Sequence, residues 1–421
     1  MTQLKCVHVV GAGLAGLAAS LRLAKSGVAV ELHEAAPQGG GRCRSYFDET
    51  IGCRIDNGNH LLMSGNTAAM DYLREIDAVG TLIGPADAEF AFLDLISGER
   101  WVLRPNLGRI PWWVLSKGRR VPDTHVSDYA RSLRLAWAQP TDTVAMMFDK
   151  NATIFRRFWQ PLSVAVLNTE VEEASAICLA QTVRESFARG GRACLPLVPA
   201  EGLSESFVEP AVHRLRALGG RVHFGSRLRA IEADHDRVSK LIFDSGSQLL
   251  GRDVAAVIAV PAPVAARIVP GLSAPDSFRA ILNAHYRVTA RPEAPLFVGL
   301  VGGSAQWVFR KREVLSVTIS AADGLIDTPA EDLARLLWPE MRRAYELQET
   351  QLPPWQIVKE KRATFAATPD QLARRAKTRT RWQNLALAGD WTDTGLPATI
   401  EGAIRSGFAA AAHLLAQRAP G

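Results

Sequence analysis

Residues 6–16 read Cys6-Val-His-Val-Val10-Gly11-Ala-Gly13-Leu-Ala-Gly16, and their reading decides the fold. Cys6–Val10 is a short apolar run of the kind buried in a parallel sheet. Beyond the glycines, Leu17, Ala18, Leu21, Leu23 and Ala24 recur at helical spacing as far as Gly27, and Val28–His33 reads as a second strand ending at Glu34. This is a βαβ unit with G-x-G-x-x-G at its first turn and an acid 18 residues beyond the last glycine. Gly11 serves the tight turn, Gly13 lets backbone N–H groups approach a pyrophosphate, and Gly16 brings helix and sheet together. The helix start at Leu14 and Ala15 adds favourable partial charge for an anion. Glu34, followed by Ala35, can accept hydrogen bonds from a free ribose and would repel a 2′-phosphate. The unit therefore binds a dinucleotide, without by itself separating FAD from NAD.

Two further stretches carry the same kind of signal. Gly39-Gly40-Gly41-Arg42-Cys-Arg44-Ser45 lets backbone lie along a diphosphate while Arg42 neutralises it, although a basic surface loop would read alike. Towards the far end, Leu385–Ala388 reads as another short strand, followed by Gly389-Asp390-Trp391-Thr392 and a helix opening near Pro397-Ala-Thr399-Ile400-Glu401-Gly402. Gly389 permits close backbone approach, and Asp390 can accept from a hydroxyl of a ribityl chain. The helix start at Ile400 can face a flavin pyrimidine edge. Alone, this stretch also fits an ordinary strand–turn–helix.

Composition narrows the class. Over 421 residues the chain is 47% hydrophobic and 22% charged, which excludes global disorder and allows two to four domains. With 49 basic and 43 acidic residues the net charge is +6, too dilute for a nucleic-acid protein but suited to an anionic membrane surface. Cys6, Cys43, Cys53, Cys178 and Cys194 lack metal-ligand spacing, so reduced thiols and no metal are expected. No signal peptide precedes the first strand, and apolar runs such as Pro295–Val301 fall far short of the ~20 residues that span a bilayer. The expectation is a cytoplasmic protein, at most laid on the inner face of the cytoplasmic membrane.

The stretches VVGAGLAGLAASLRLAKSGVAVELHEA, GGGRCRS and LALAGDWTDTGLPATIEGAIRSGFAAA resemble the glutathione-reductase-type FAD fold of amine oxidases and carotenoid desaturases. Ile55–Asn66, Phe158–Leu162 and Gly389–Pro397 make the chain most similar to the hydroxysqualene dehydroxylase family within that group. The resemblance implies an α/β FAD-binding Rossmann fold with an interleaved α+β substrate domain. The FAD-binding domain would comprise 1–84, 194–261 and 376–421, and the substrate domain 85–193 and 262–375. It also implies non-covalent FAD, with Gly58, Asn59 and His60 against the isoalloxazine and the Leu228 backbone at adenine. The family often has Val at that position and Pro-x-Gly-Gly before the next helix, where this chain has Leu228 and Pro199-Ala-Glu201-Gly202. Backbone contact survives the first change; the second leaves that loop's geometry open.

The implied reaction is reductive removal of the hydroxyl of hydroxysqualene to give squalene, in bacterial squalene and hopanoid synthesis. A carotenoid-type desaturase taking hydride from a polyene is the alternative, and a lipid-binding protein on the same scaffold remains a further class. The substrate is a long apolar isoprenoid, the electron donor is not identified, and no nucleic acid is expected. The departing hydroxyl needs a proton, and His60 is the candidate acid, with Asn59 positioning hydroxyl or flavin; a structural histidine would look the same. Asn168, Asp393 and Arg310 are weaker candidates.

Trp101, Trp112, Trp113, Trp137, Phe148, Phe155, Phe158 and Trp159 can line an apolar tunnel or simply pack a core. Arg109–Arg120, with Trp112-Trp113 among cations, fits a membrane–water interface or a tryptophan-anchored loop with a solvated basic end. Leu203–Leu218 is expected to be helical with Ser204 or Ser206 as cap, and Ala330–Leu347 helical as well. Paired strands are expected at Leu228–Ile231 and Leu241–Phe243, and the basic run Ala373–Arg381 as a solvated face.

Overall fold

The computed structural model of the protein describes residues 4–417. Its centre is a five-stranded parallel sheet in the order Arg221–Phe224, Ala29–Glu34, Cys6–Val10, Val254–Ile258, Leu385–Leu387. Segments from four distant parts of the chain thus meet in one layer. The Leu14–Lys25 helix lies on it, with Leu14, Leu17, Leu21 and Leu23 buried. The Ile400–Ala416 helix packs across that helix so tightly that a Cβ at Gly407 would overlap the Ala15 carbonyl. On the opposite face lies a three-stranded antiparallel sheet, Leu228–Ala233, Val238–Phe243 and Gly246–Leu249, whose Phe243 ring sits 4.4 Å from that of His33.

A seven-stranded sheet forms the second layer system, in the order Trp355–Phe365, Phe278–Arg287, Val314–Ile319, Trp307–Lys311, Phe297–Val301, Phe90–Asp94, Arg100–Leu103. The pairing is antiparallel except between Phe297–Val301 and Phe90–Asp94. The Ala330–Tyr345 helix covers its apolar face through Leu333, Leu337, Trp338 and Met341, against Leu282, Tyr286, Leu315 and Val317. One cross-brace joins the termini of two helices. Glu401, in the first turn of the last helix, accepts from Ala68 N (3.1 Å) and Ala69 N (2.8 Å), the open start of the Thr67–Glu75 helix.

Several expectations are corrected. Ser204 and Ser206 are not caps: they lie inside a π-helical turn, Ser204–Val208, that leads into the Glu209–Ala217 helix. There Ser204 Oγ accepts from Ser45 N at 2.8 Å, and Ser206 Oγ accepts from Thr81 Oγ1. The basic run near 375 is not simply a solvated face. Arg375 is buried and donates to the carbonyls of Asp390, Trp391, Thr392 and Leu396, satisfying a loop that has no secondary structure to do so. Most of the aromatic-rich segment is packed core: Trp159 stacks on Phe148 and meets Phe158 edge-on, each at a centroid distance of 4.9 Å, and Trp101 stacks on Phe92. Trp112 and Trp137, by contrast, are 52% and 71% exposed.

The helix crossing at Gly407 gives a direct test. Gly407→Ala inserts a methyl group where only backbone fits and should destabilise the fold by about 1–3 kcal/mol, read as a lowered thermal midpoint. An unchanged midpoint would mean that the two helices can part without cost.

Candidate active site

The site forms where the C-terminal ends of the parallel strands meet the seven-stranded sheet. Gly11, at φ 105°, turns the chain out of the first strand directly beneath Ala259, where a Cβ would overlap the carbonyl. Gly13, by contrast, faces open space: a Cβ there meets no atom within 4 Å. No side chain caps the Leu14–Lys25 helix and no acid lies in its first turn, so its N–H groups near Leu14 and Ala15 are available to an anion. Gly13 also bridges to Gly40, which brings Gly41 and Arg42 alongside that helix start.

Around this opening the charged groups are held in place. Glu34 accepts from Ala12 N and Ala36 N, each at 2.8 Å, so its carboxylate is fixed at the end of its strand beside Ala35. Arg42 reaches Asp390 through one nitrogen, 2.7 Å from both carboxylate oxygens, and also donates to the Ala363 carbonyl. That pairing, with Asp390 as its main cause, holds the guanidinium charged. Gly389 stands beside Asp390 at φ 144°, and Ile400 opens a helix capped by Thr399 Oγ1, which accepts from Gly402 N. Leu228 is buried at the start of its strand, opposite Phe243. An open glycine face, an uncapped helix start, a fixed carboxylate and an arginine together suit a dinucleotide pyrophosphate and ribose.

The second half of the site is the 56–60 loop. Asp56 anchors it by accepting from Ser45 Oγ (2.6 Å), Leu203 N (2.9 Å) and Lys311 Nζ. Asn59 Nδ2 donates to Thr318 Oγ1 at 2.9 Å, Thr318 donates to Asn283 Oδ1 at 2.7 Å, and Asn283 Nδ2 returns to the Asn57 carbonyl. A Cβ on Gly58 would press against Asn283, so the loop lies close on the sheet. His60 makes no hydrogen bond among the described residues, and burial presses its imidazole down to about 4. It is therefore neutral near pH 7.

Lys311, Asn283 and Thr318 escaped the sequence reading. The signal was present in Ile281-Leu-Asn283-Ala-His285-Tyr-Arg287, where polar residues alternate inside an otherwise apolar strand. Two weaker candidates are structural. Asn168 sits at φ 47° and ends a helix, accepting from Ala321 N and donating to Thr364 Oγ1. Arg310 is tied to the carbonyls of Pro292 and Ala294.

The sequence profile of flavin containing amine oxidoreductases matches residues 14–291 and 301–415. Over 413 residues the chain is 48% identical to the hydroxysqualene dehydroxylase of Rhodopseudomonas palustris, covering 98% of this chain and 99% of that one. The chain belongs to the hydroxysqualene dehydroxylase family of flavin containing amine oxidoreductases. Another member of the hydroxysqualene dehydroxylase family, from Sinorhizobium fredii, is 44% identical over 97% of each chain. A probable zeta-carotene desaturase of Synechococcus elongatus is only 22% identical over 98% of this chain and 99% of its own. Among solved structures, putrescine oxidase superposes with a TM-score of 0.71 over 99% of this chain and 100% of its own at 17% identity, a likeness of fold. As a member of this family the chain is an FAD-dependent oxidoreductase, and the open glycine face and uncapped helix start suit FAD.

Five histidines, His8, His33, His60, His285 and His413, have their protonation suppressed, chiefly by burial. Each is neutral when folded and takes up a proton on unfolding below its ordinary value of about 6.5. Stability contributed this way is full above that value and is lost as pH falls toward 4. Thermal melts across this range should show the midpoint dropping steadily; a midpoint flat to pH 4.5 would contradict the burial of these rings.

Proposed function

We propose that this protein reductively removes the hydroxyl of hydroxysqualene to give squalene. The reading is supported chiefly by 41–48% identity to three hydroxysqualene dehydroxylases over nearly the whole chain. In this reading Gly11, Gly13, Leu14, Ala15, Gly41 and Arg42 hold the FAD diphosphate, Glu34 and Ala35 the ribose, and the Leu228 backbone the adenine. Gly58, Asn59, His60, Gly389, Asp390 and Ile400 surround the flavin end, and no covalent link is made. The five-segment division at 84, 193, 261 and 375 separates FAD-binding from substrate-binding residues.

Reduced FAD, when bound, supplies the two electrons as hydride. The rest falls to the chain. The departing oxygen must be protonated, because hydroxide is a poor leaving group, and the allylic cation formed must be kept from bulk water. His60 is the group proposed to hand over that proton. As a neutral imidazole it can donate from one nitrogen while accepting at the other. Asn59, with its amide nitrogen committed to Thr318, offers Oδ1 to orient the hydroxyl.

Delivery of so apolar a substrate favours contact with an anionic membrane, and we place that contact on residues 107–146. Leu107, Ile110, Trp112, Leu115, Leu133, Trp137 and Met146 all expose large apolar side chains there. Arg109, Lys117, Arg119 and Arg120 lie among them, and an open cavity of about 350 Å³ is lined by Arg134, Trp137 and Met146. Trp113 does not share this surface: it is buried edge-on against Tyr129, 5.4 Å between centroids. Among the described residues no helix is long and apolar enough to cross a membrane.

An anaerobic single turnover tests the activity. FAD-loaded protein is chemically reduced, hydroxysqualene is added, and flavin oxidation is followed alongside the lipid product. Squalene formed in step with flavin oxidation, with FAD then freed by denaturation, is the expected result. Polyene desaturation under an oxidant in its place would reassign the chain as a desaturase. For the membrane surface, Ile110→Ser combined with Trp112→Ser and Leu115→Ser should weaken co-sedimentation with anionic vesicles about a hundred-fold or more, at about 1–3 kcal/mol per lost apolar side chain. Unchanged sedimentation would rule that loop out.

A further inference from the structure

The second and third strands of the seven-stranded sheet, Phe278–Arg287 and Val314–Ile319, have one apolar and one polar face. Leu282, Ala284 and Tyr286 alternate into the apolar core with Leu315, Val317 and Ile319. Between them, Asn283 and His285 on one strand and Ser316 and Thr318 on its neighbour point the other way. The register sets Asn283 opposite Thr318 and His285 opposite Ser316, and each pair is hydrogen-bonded at 2.7 Å. The Asn283–Thr318 rung grips the 57–59 loop, as described above. The His285–Ser316 rung has a loose end: His285 is 1% exposed, Nδ1 is taken by Ser316 Oγ, and Nε2 has no partner.

His285 lines a pocket of about 90 Å³ together with Asp56, Asn59, Lys311 and Ser316. One water needs roughly 10–15 Å³ of such space and two to four polar partners, so this pocket has room and partners for several. Its rim is charged and exposed, made by Arg54, Glu201, Arg312 and Glu313. Solvent at the surface and the Asn59 end of the 56–60 loop are thus joined by a short polar passage, and a buried imidazole with a spare nitrogen stands in its wall.

We propose that this passage is the proton inlet of the enzyme and that His285 is the positioning residue that keeps its water in line with the loop carrying Asn59 and His60. The inference rests on the dehydroxylase reading. Converting R–OH to R–H and water takes two electrons and two protons: the C–O bond breaks, a C–H bond forms from hydride supplied by reduced FAD, and the second proton leaves on the released oxygen. That second proton must be renewed at every turnover. His60 does not store it, since its imidazole is neutral near pH 7. Ser316 Oγ fixes the ring through Nδ1 and leaves Nε2 free to hold a water in the pocket that Ser316 shares with Asn59. Asp56, Lys311 and Asp48 are the charged groups acting on this ring, and burial keeps it down to about 4, so the ring stays neutral and orders water without storing a proton.

The test uses the full-length, FAD-loaded protein in the anaerobic single turnover. His285→Asn keeps an atom near the Nδ1 position for Ser316 and removes Nε2. It should slow flavin oxidation by hydroxysqualene about ten-fold or more and raise the solvent deuterium isotope effect. FAD content and thermal midpoint should stay as in the parent. His285→Ala leaves room for a small base, and added imidazole should restore part of its rate. A wild-type rate and isotope effect in His285→Asn would overturn the inlet while leaving the dehydroxylase reading intact. So would a slowed variant with unchanged isotope effect and no rescue, which makes His285 a packing residue. Parent protein that forms no squalene overturns both.

Discussion

Everything in this molecule depends on backbone meeting backbone where side chains are absent. The turn out of the first strand lies under Ala259, and the last helix crosses the first where Gly407 meets Ala15. These contacts set how near the helix start stands to the sheet, and therefore where its unpaired N–H groups point. Glu34 and Arg42 are then placed by that geometry: Glu34 is clamped by the N–H of Ala12 inside the turn, and Arg42 follows the glycines that bridge to Gly13. A single methyl group in this region would move charge as well as volume.

The other half of the site is governed by polar bonding within a buried layer. Asp56 draws together the 45–56 hairpin, the Leu203 backbone and a lysine from the seven-stranded sheet. Burying a carboxylate is costly unless its oxygens are met, and here three donors meet it. The loop beyond it is then short enough to be governed by Asn283 and Thr318. Orientation in this region comes from side-chain bonds, whereas at the nucleotide end it comes from the backbone.

That difference explains what could be read from the sequence. The βαβ unit was legible because strand period, glycine spacing and helix period are local properties of residues 6–34. The five-stranded sheet's outer member Leu385–Leu387 was legible as a strand for the same reason. Arg375 was not, because a cation in a basic run becomes a buried brace only through carbonyls up to 21 positions away. The pair Trp112 and Trp113 looked uniform, yet one ring is solvent-facing and its neighbour is core, since a single turn of chain sends adjacent side chains opposite ways. The polar face at Asn283 and His285 left a visible alternation, but its meaning came from a partner strand some 31–35 residues later in the chain.

The strand order of the parallel sheet also has a consequence for biosynthesis. Leu385–Leu387 flanks Val254–Ile258, and the helix that seals the nucleotide turn ends at Ala416. A growing chain therefore displays the glycine turn early but cannot finish its walls until residues 385–416 have left the ribosome. Until then Ala15, Ala18 and Ala19 and the flank of Val254–Ile258 stay uncovered, an apolar surface for chaperones to shield. A dinucleotide captured in this turn would thus find its walls complete only once residues 6–34 and 385–416 have met.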